Sequence, residues 1–423
     1  MTKLTLTSFF TCVFIGFSFP SHAVNSFDAE QLFNEAMELR NSGDILNSIQ
    51  TFETLLTQQP GLNRVRLELA VAYQMLRRYE DARDQLYRVL NDPDTPDNVR
   101  LTITAYLAQL GADEKRAKQR TSDSFYISAG LFTDSNVNIA PSDILLTSGS
   151  TEIDATGSAL LLNYSHRSKA SKPLIIDNQP IDFGWNSSLT AYSKVHTGEE
   201  NDFNLHVLSL KTGPQLLSSK NWSAELNFKL DKIYFDADPY ADYISLNPMF
   251  TLIFDNDLSI SIENVTVVRE FSNSSESGLE GISKLYGMNI SKIFSSKTIG
   301  IDGGVRYHSN GAEDGHLNAN GLEIYLSAYL QPWEQGKTYL NLSSRDYEYK
   351  NSEFNVTGIV GSSSEIRDET ETKATLGASH RFTTGSLKAW SLNAQASYTE
   401  NDSNLNDYNY DRTIIEINMS RSF

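Results

Sequence analysis

Two hydrophobic periods divide the chain. Up to about residue 121, apolar positions recur every three or four residues; from Phe125 to the last residue they recur every second one. In the second part, Trp222, Ala224, Leu226, Phe228 and Leu230 alternate with Ser223, Glu225, Asn227, Lys229 and Asp231. Leu322, Ile324, Leu326, Ala328 and Leu330 alternate with Glu323, Tyr325, Ser327 and Tyr329. Trp390, Leu392, Ala394 and Ala396 alternate with Ser391, Asn393, Gln395 and Ser397. Each segment has one apolar face and one face of charge, hydroxyl and amide. A soluble sandwich turns its polar face outward and rarely continues this long. A barrel with lipid outside and water inside needs this pattern on every strand.

The alternation predicts fourteen strands, at 124–133, 155–168, 181–196, 201–216, 221–236, 240–254, 258–271, 281–294, 297–310, 316–332, 336–351, 367–383, 387–401 and 408–423. The segments at 201–216 and 258–271 alternate poorly, and the latter exchanges its apolar face near Asn264 and Val265, which predicts a bulge. Tight links at 218–221, 255–257, 295–297, 332–336 and 383–386 alternate with longer polar ones at 134–154, 271–281, 310–316, 351–367 and 401–408. Outer-membrane barrels have short periplasmic turns and longer outer loops. The link at 168–180 breaks this rule, being periplasmic by count yet about a dozen residues long. Phe254, Phe294, Phe382 and Phe423 end strands on the expected periplasmic side, where Trp185, Trp222, Trp333 and Trp390 also fall. Such rings favour the headgroup level. Phe423 closes an alternating last strand, the form of a signal for the outer-membrane assembly machinery.

Residues 24–121 predict helical hairpins. At a shift of 34 residues Ala36 falls on Ala70, Leu39 on Tyr73, Ser48 on Ala82, Phe52 on Leu86 and Leu55 on Val89, the period of a tetratricopeptide repeat. Small residues at the first and third of these pairs let helices approach. Gly43 and Asp44 make the first turn, Pro60 starts the next helix, and a helix at 97–118 caps the array. Two repeats are few for a self-sufficient stack, so the array is expected to lean on something else, the next domain above all. Its concave side serves either as a groove for a partner or as a spacer.

Before these helices, Lys3 precedes an apolar run to Phe19 and then Pro20-Ser21-His22-Ala23, which predicts a signal peptide cleaved after Ala23. Cleavage would remove Lys3 and Cys12, the single cysteine, so the mature chain has no disulfide, thiol chemistry or cysteine-ligated metal. The formal net charge is −18 over the whole chain. Such acidity excludes a general nucleic-acid binder. Hydrophobic residues make up 39% of the chain yet include 20 tyrosines and 21 phenylalanines, a combination that suits a barrel with a polar lumen. None of the histidines has a zinc-protease spacing. His308 and Ser309 are adjacent on a strand and therefore point to opposite faces, which a serine–histidine pair cannot use. No phosphate loop or dinucleotide fingerprint is present. The expectation is no enzyme, no metal and no cofactor.

A leader, a short tetratricopeptide helical domain (24–121) and a fourteen-stranded antiparallel outer-membrane β-barrel (122–423) together resemble the surface lipoprotein assembly modulators. The stretch Gly130-Leu131-Phe132-Thr133-Asp134-Ser135-Asn136-Val137-Asn138-Ile139-Ala140-Pro141 is similar to the opening of that family's barrel. The helical domain is shorter than the family's. The resemblance implies a Gram-negative outer-membrane translocon, its helices in the periplasm, that delivers surface lipoproteins or related secreted proteins, with periplasmic chaperones as possible partners. Asp134, Ser135, Asn136 and Asn138 are then candidates for a gating loop; they are also good turn formers, which leaves a purely structural loop open. The alternative is a tetratricopeptide-barrel porin for polysaccharide export or solute passage.

Overall fold

The structure is a computed structural model that describes residues 26–138, 152–198, 203–218, 221–236, 238–294, 298–353, 364–405 and 408–423. The expected leader, residues 1–23, lies outside these. The chain divides into a helical unit, formed by residues up to Arg120 together with Ala170–Asp182, and a sheet unit, formed by Thr121–Lys169 and Phe183–Phe423.

Five helices make the described part of the helical unit: α1 (Ser26–Ser42), α2 (Ile45–Gln58), α3 (Asn63–Met75), α4 (Tyr79–Leu90) and α5 (Asp97–Lys118). Neighbours in sequence pack on one another. The 34-residue correspondence carries into the packing. Ala36, Ala70, Ser48 and Ala82 are fully buried between helices, and so are Phe52 and Leu86. Ser48 keeps its hydroxyl satisfied by donating to the Ala36 carbonyl at 2.8 Å. Arg40 and Glu68 form a buried ion pair across the repeats. Gly43 takes φ +96°, and Asp44 caps α2 by accepting from Asn47. Pro60 does not start α3, which begins at Asn63; it lies in the preceding turn, where its carbonyl accepts from Arg66. Burial and a hydrogen bond to Glu53 push the Tyr73 phenol up. Hydrogen bonds from Lys118 and Arg83 hold the Glu114 carboxyl below the usual carboxylate range.

Whereas the expected support was the next domain, the array is packed within the helical unit by residues of the link at 168–180. Its strand β3 (Leu174–Ile176) pairs with Gln179–Ile181 through a turn in which Asp177 and Asn178 both have positive φ. Asn178 donates to Asp44 at 2.6 Å, Gln179 donates to the Gly43 carbonyl, and Arg77 forks onto Asp182, one arm at 2.7 Å. The irregular link is thus an arm held against the helices, and Ile181 is buried there.

Fourteen long strands form the sheet unit: β1 (Thr121–Asp134), β2 (Ala155–Lys169), β4 (Gln179–His196), β5 (Leu205–Ser218), β6 (Trp222–Phe235), β7 (Asp238–Ile253), β8 (Leu258–Phe271), β9 (Gly281–Ile293), β10 (Ile299–Asn310), β11 (Ala319–Leu330), β12 (Gly336–Tyr349), β13 (Asp368–Arg381), β14 (Trp390–Ser403) and β15 (Tyr410–Ser422). Each pairs antiparallel with its neighbours in sequence, β2 pairs with β4, and β1 pairs with β15, so the sheet closes on itself. The fold is a closed antiparallel β-barrel of the outer-membrane type. The predicted strands match these within a few residues.

Parity around the barrel follows the expected faces. Leu322, Ile324 and Leu326 are exposed on the outside, as are Ile415 and Ile417, while Glu323, Tyr325 and Ser327 point inward. Aliphatic side chains left bare on every strand suit a lipid solvent, which also requires the backbone to be paired without an open edge. The rings at the end of the barrel where β1 begins are exposed as well: Trp185, Phe254, Phe294, Trp333 and Phe423. We call this end proximal and the other distal.

The bulge expected at Asn264 and Val265 is absent. β8 keeps one register with β9 through both residues. Val265 and Val267 therefore face inward beside Glu263 and Arg269, and Asn264 covers the Leu285 carbonyl at 3.2 Å. The interruption belongs to the partner strand, where Pro248 lacks an N–H and Asn247 reaches across to the Asn264 carbonyl. The register shift lies elsewhere, between Ile233 and Tyr234 on β6 against β7.

Candidate functional site: the barrel interior and its distal clasp

The motif beginning at Asp134 sits where the first and last strands meet. β1 ends at Asp134, whose partner across the seam is Ile414. Asp134 is an interior position by parity and is almost fully buried. Arg412 of β15 donates to it through Nε at 2.8 Å and Nη2 at 2.6 Å, and Lys194 of β4 lies at 3.1 Å. One carboxylate thus ties three strands. Bidentate geometry makes the arginine contact directional as well as strong. Lys194 also lies over the Phe132 ring at 4.3 Å, and His196 meets that ring edge-on at 5.2 Å.

The next residues continue the seam beyond the regular ladder. Ser135 donates its N–H to the Thr413 carbonyl at 3.0 Å, and its hydroxyl accepts from the Thr413 N–H at 2.8 Å. Asn136 donates to the Asp411 carbonyl at 3.1 Å. Val137 donates to the Ile153 carbonyl, and the Asn138 side chain accepts from the Ile153 N–H. Asp134, Ser135 and Asn136 therefore form a clasp over the distal end of the β1–β15 seam, while Asn138 bonds to Ile153 on the approach to β2. Ile139, Ala140 and Pro141 lie outside the described residues. At the proximal end Phe423 exchanges both backbone hydrogen bonds with Phe125 and closes the other end of the seam.

A second charged group crosses the interior wall opposite in sequence. Arg306 on β10 contacts Glu263 at 3.4 Å and Glu323 at 3.3 Å. His308 bonds Glu323 at 2.8 Å, Arg345 pairs with Glu371 at 2.9 Å, and Tyr410 donates to Glu371 at 2.8 Å. His308 is thus part of an ion-pair belt. Nearer the proximal end the wall carries amides and hydroxyls. Asn289 bonds Asp302 and Tyr325, Tyr339 donates to Gln395, and Asn393 bonds Asn418 and Ser420.

Two large interior rings lie against the wall. Tyr339 lies over Gly377, where an added Cβ would come within 2.2 Å of the ring. Tyr325 lies over Gly304 in the same way, and Arg306 stacks on it at 4.1 Å. A ring laid on a glycine runs along the sheet and fills little of the bore.

Lys194, Arg412 and His196 were not singled out by the motif. The signal for them is weak: each is a polar residue at an interior position near a distal strand end, and only the register brings them to Asp134.

No family model and no curated protein matches the chain. Among solved structures it is similar to outer membrane protein OprD from Pseudomonas aeruginosa, at 8% identity over 72% of this chain and 93% of that chain, TM-score 0.34. It is also similar to Acinetobacter baumannii OccAB1, at 11% identity over 72% and 96%, TM-score 0.37. Pseudomonas aeruginosa OpdQ matches at 9% identity over 72% and 97%, TM-score 0.33. The resemblance to the surface lipoprotein assembly modulators rests on the domain order and the motif alone.

Proposed function

We propose that the protein is an outer-membrane conduit through which a polar cargo, a solute or a polysaccharide, passes along the barrel axis. The observation that carries this is the interior. Its wall carries charged, amide and hydroxyl groups bonded to one another, and Tyr339 and Tyr325 lie over glycines. Such a surface is wettable and leaves room along the axis. The ladder between β1 and β15, continued by the clasp, favours the axial route over one between these strands. In this reading Asp134, Ser135, Asn136 and Asn138 are the gate candidates of this route, the Asp134 carboxylate holding the end of β1 to β4 and β15. The distal end faces the outside of the cell and the helical unit the periplasm. The role is transport, with no catalytic group, cofactor or metal required.

Delivery of lipoproteins or related secreted proteins is the second reading. It is favoured by a helical-repeat array in the same chain as the barrel, with tetratricopeptide-like period, and by the stretch at 130–141. Planar-bilayer recording of the full-length protein tests the first reading: stepwise conductance supports it, and electrically silent insertion counts against it. Protease shaving of cells co-expressing a candidate surface lipoprotein tests the second, which fails if exposure is unchanged when this protein is deleted.

A further inference from the structure

The arm at 170–182 has two unlike margins. One is occupied: Asn178, Gln179 and Asp182 are bonded to the helical unit, and Ile181 is buried. The other is bare. β3 is the free end of the strand order, and its three residues, Leu174, Ile175 and Ile176, are 45%, 44% and 46% exposed. Consecutive strand residues point to opposite faces, so neither face of β3 is covered. An aliphatic edge strand left in water is a site of unwanted pairing, and proteins ordinarily guard it with charge or proline. Here Pro173 precedes the apolar triplet, Lys172 and Lys169 stand upstream of it, and exposed Asp177 follows it in the turn.

We propose that this edge enters the lipid leaflet at the proximal end of the barrel, anchoring the arm and the helices bonded to it. The occupant is a lipid surface for three reasons. The triplet offers aliphatic side chains with no directional pattern, which suits acyl chains. Lys172, exposed two residues before Leu174, and Lys169 before it supply long cationic side chains that can reach headgroup phosphates while the triplet is in the acyl region. Only four residues of chain separate Lys169, the end of a lipid-facing strand, from Leu174, a reach of about 18 Å at most. Exposed Tyr164 and Trp185 lie toward the same ends of β2 and β4, rings that favour the headgroup level. This anchoring goes beyond the conduit reading and does not depend on the cargo.

The test uses full-length protein with Cys12→Ser and Ile175→Cys, labelled with an environment-sensitive fluorophore in nanodiscs of phosphatidylethanolamine and phosphatidylglycerol. Ile324→Cys on the lipid face and Gln58→Cys on exposed helix surface are the references. Ile176→Cys serves as a second position, and heat-modifiable migration verifies each barrel. The expected result is quenching by brominated acyl chains comparable to that at Ile324, with a several-fold loss of aqueous iodide quenching relative to Gln58. Iodide quenching equal to that at Gln58, without quenching by brominated lipid, overturns the proposal. Shielding from both quenchers at both positions also overturns it, since protein would then cover the edge.

Discussion

Replacing Asp134 by alanine tests the clasp. The substitution removes the one carboxylate shared by Arg412 and Lys194 and leaves two cations facing each other. Their side chains are 19% and 14% exposed, against 0% for Asp134. Removing one partner of a buried ion pair costs about 3–5 kcal/mol. Partial contact of both cations with the interior places the expected loss near the lower end, about 3 kcal/mol. The two hydrogen bonds between Ser135 and Thr413, one through the Ser135 N–H and one through its hydroxyl, remain, so the barrel should still close. Urea unfolding of the barrel in lipid vesicles, followed by tryptophan fluorescence and heat-modifiable migration, measures the loss. Asp134→Ala with Arg412→Ala should cost less than the sum of the single changes, with a coupling of about 1–3 kcal/mol. In planar bilayers Asp134→Ala should lengthen open dwell times. A single variant within about 0.5 kcal/mol of the parent, the range of ordinary surface changes, with unaltered dwell times, would refute the reasoning.

Other consequences follow from the same contacts. Gly377→Val should push Tyr339 off the wall, destabilising the barrel by about 1–3 kcal/mol as overpacking does and lowering single-channel conductance; unchanged conductance would contradict the arrangement of ring over glycine. Phe52→Ala should cost the helical unit about 3–5 kcal/mol, seen as an earlier loss of helical circular dichroism while heat-modifiable migration of the barrel persists. The Glu114 carboxyl is held low by Lys118 and Arg83, so its contribution is present above the ordinary carboxylate pKa of about 4.3 and lost as pH falls through the lower folded value. The thermal midpoint of the helices should therefore drop as pH falls from about 4.3 toward the folded value, and Glu114→Gln should reduce the drop.

The barrel was legible because its solvent imposes one rule on every strand. Leu322 to Leu330 announces its faces without knowledge of any neighbour, and the fourteen boundaries followed. The poorly alternating strand at 258–271 misled for a physical reason. Val265 and Val267 are apolar residues on the interior face, tolerated beside Glu263, so the exchange of faces mimicked a bulge without a register change. The helical repeat was legible in the small residues that bury fully, Ala36, Ala70 and Ala82. Pro60 misled because the helix after it begins three residues later, at Asn63. The arm at 170–182 showed only as a link of the wrong length, since its partners Gly43, Asp44 and Arg77 are distant in sequence. The clasp was half legible. Asp134 to Asn138 stood out as a polar turn, whereas Lys194 and Arg412 meet Asp134 only through strand order and register.

Cysteine accessibility along β11 tests the central claim most directly, because the wild-type chain carries a single cysteine, Cys12, which can be replaced. Single substitutions from Leu322 to Ser327, in a Cys12→Ser background in proteoliposomes, are treated with a small charged thiol reagent. A barrel with an aqueous interior predicts labelling at 323, 325 and 327 and protection at 322, 324 and 326. Uniform labelling, or labelling confined to the even positions, would contradict a water-filled, lipid-enclosed bore.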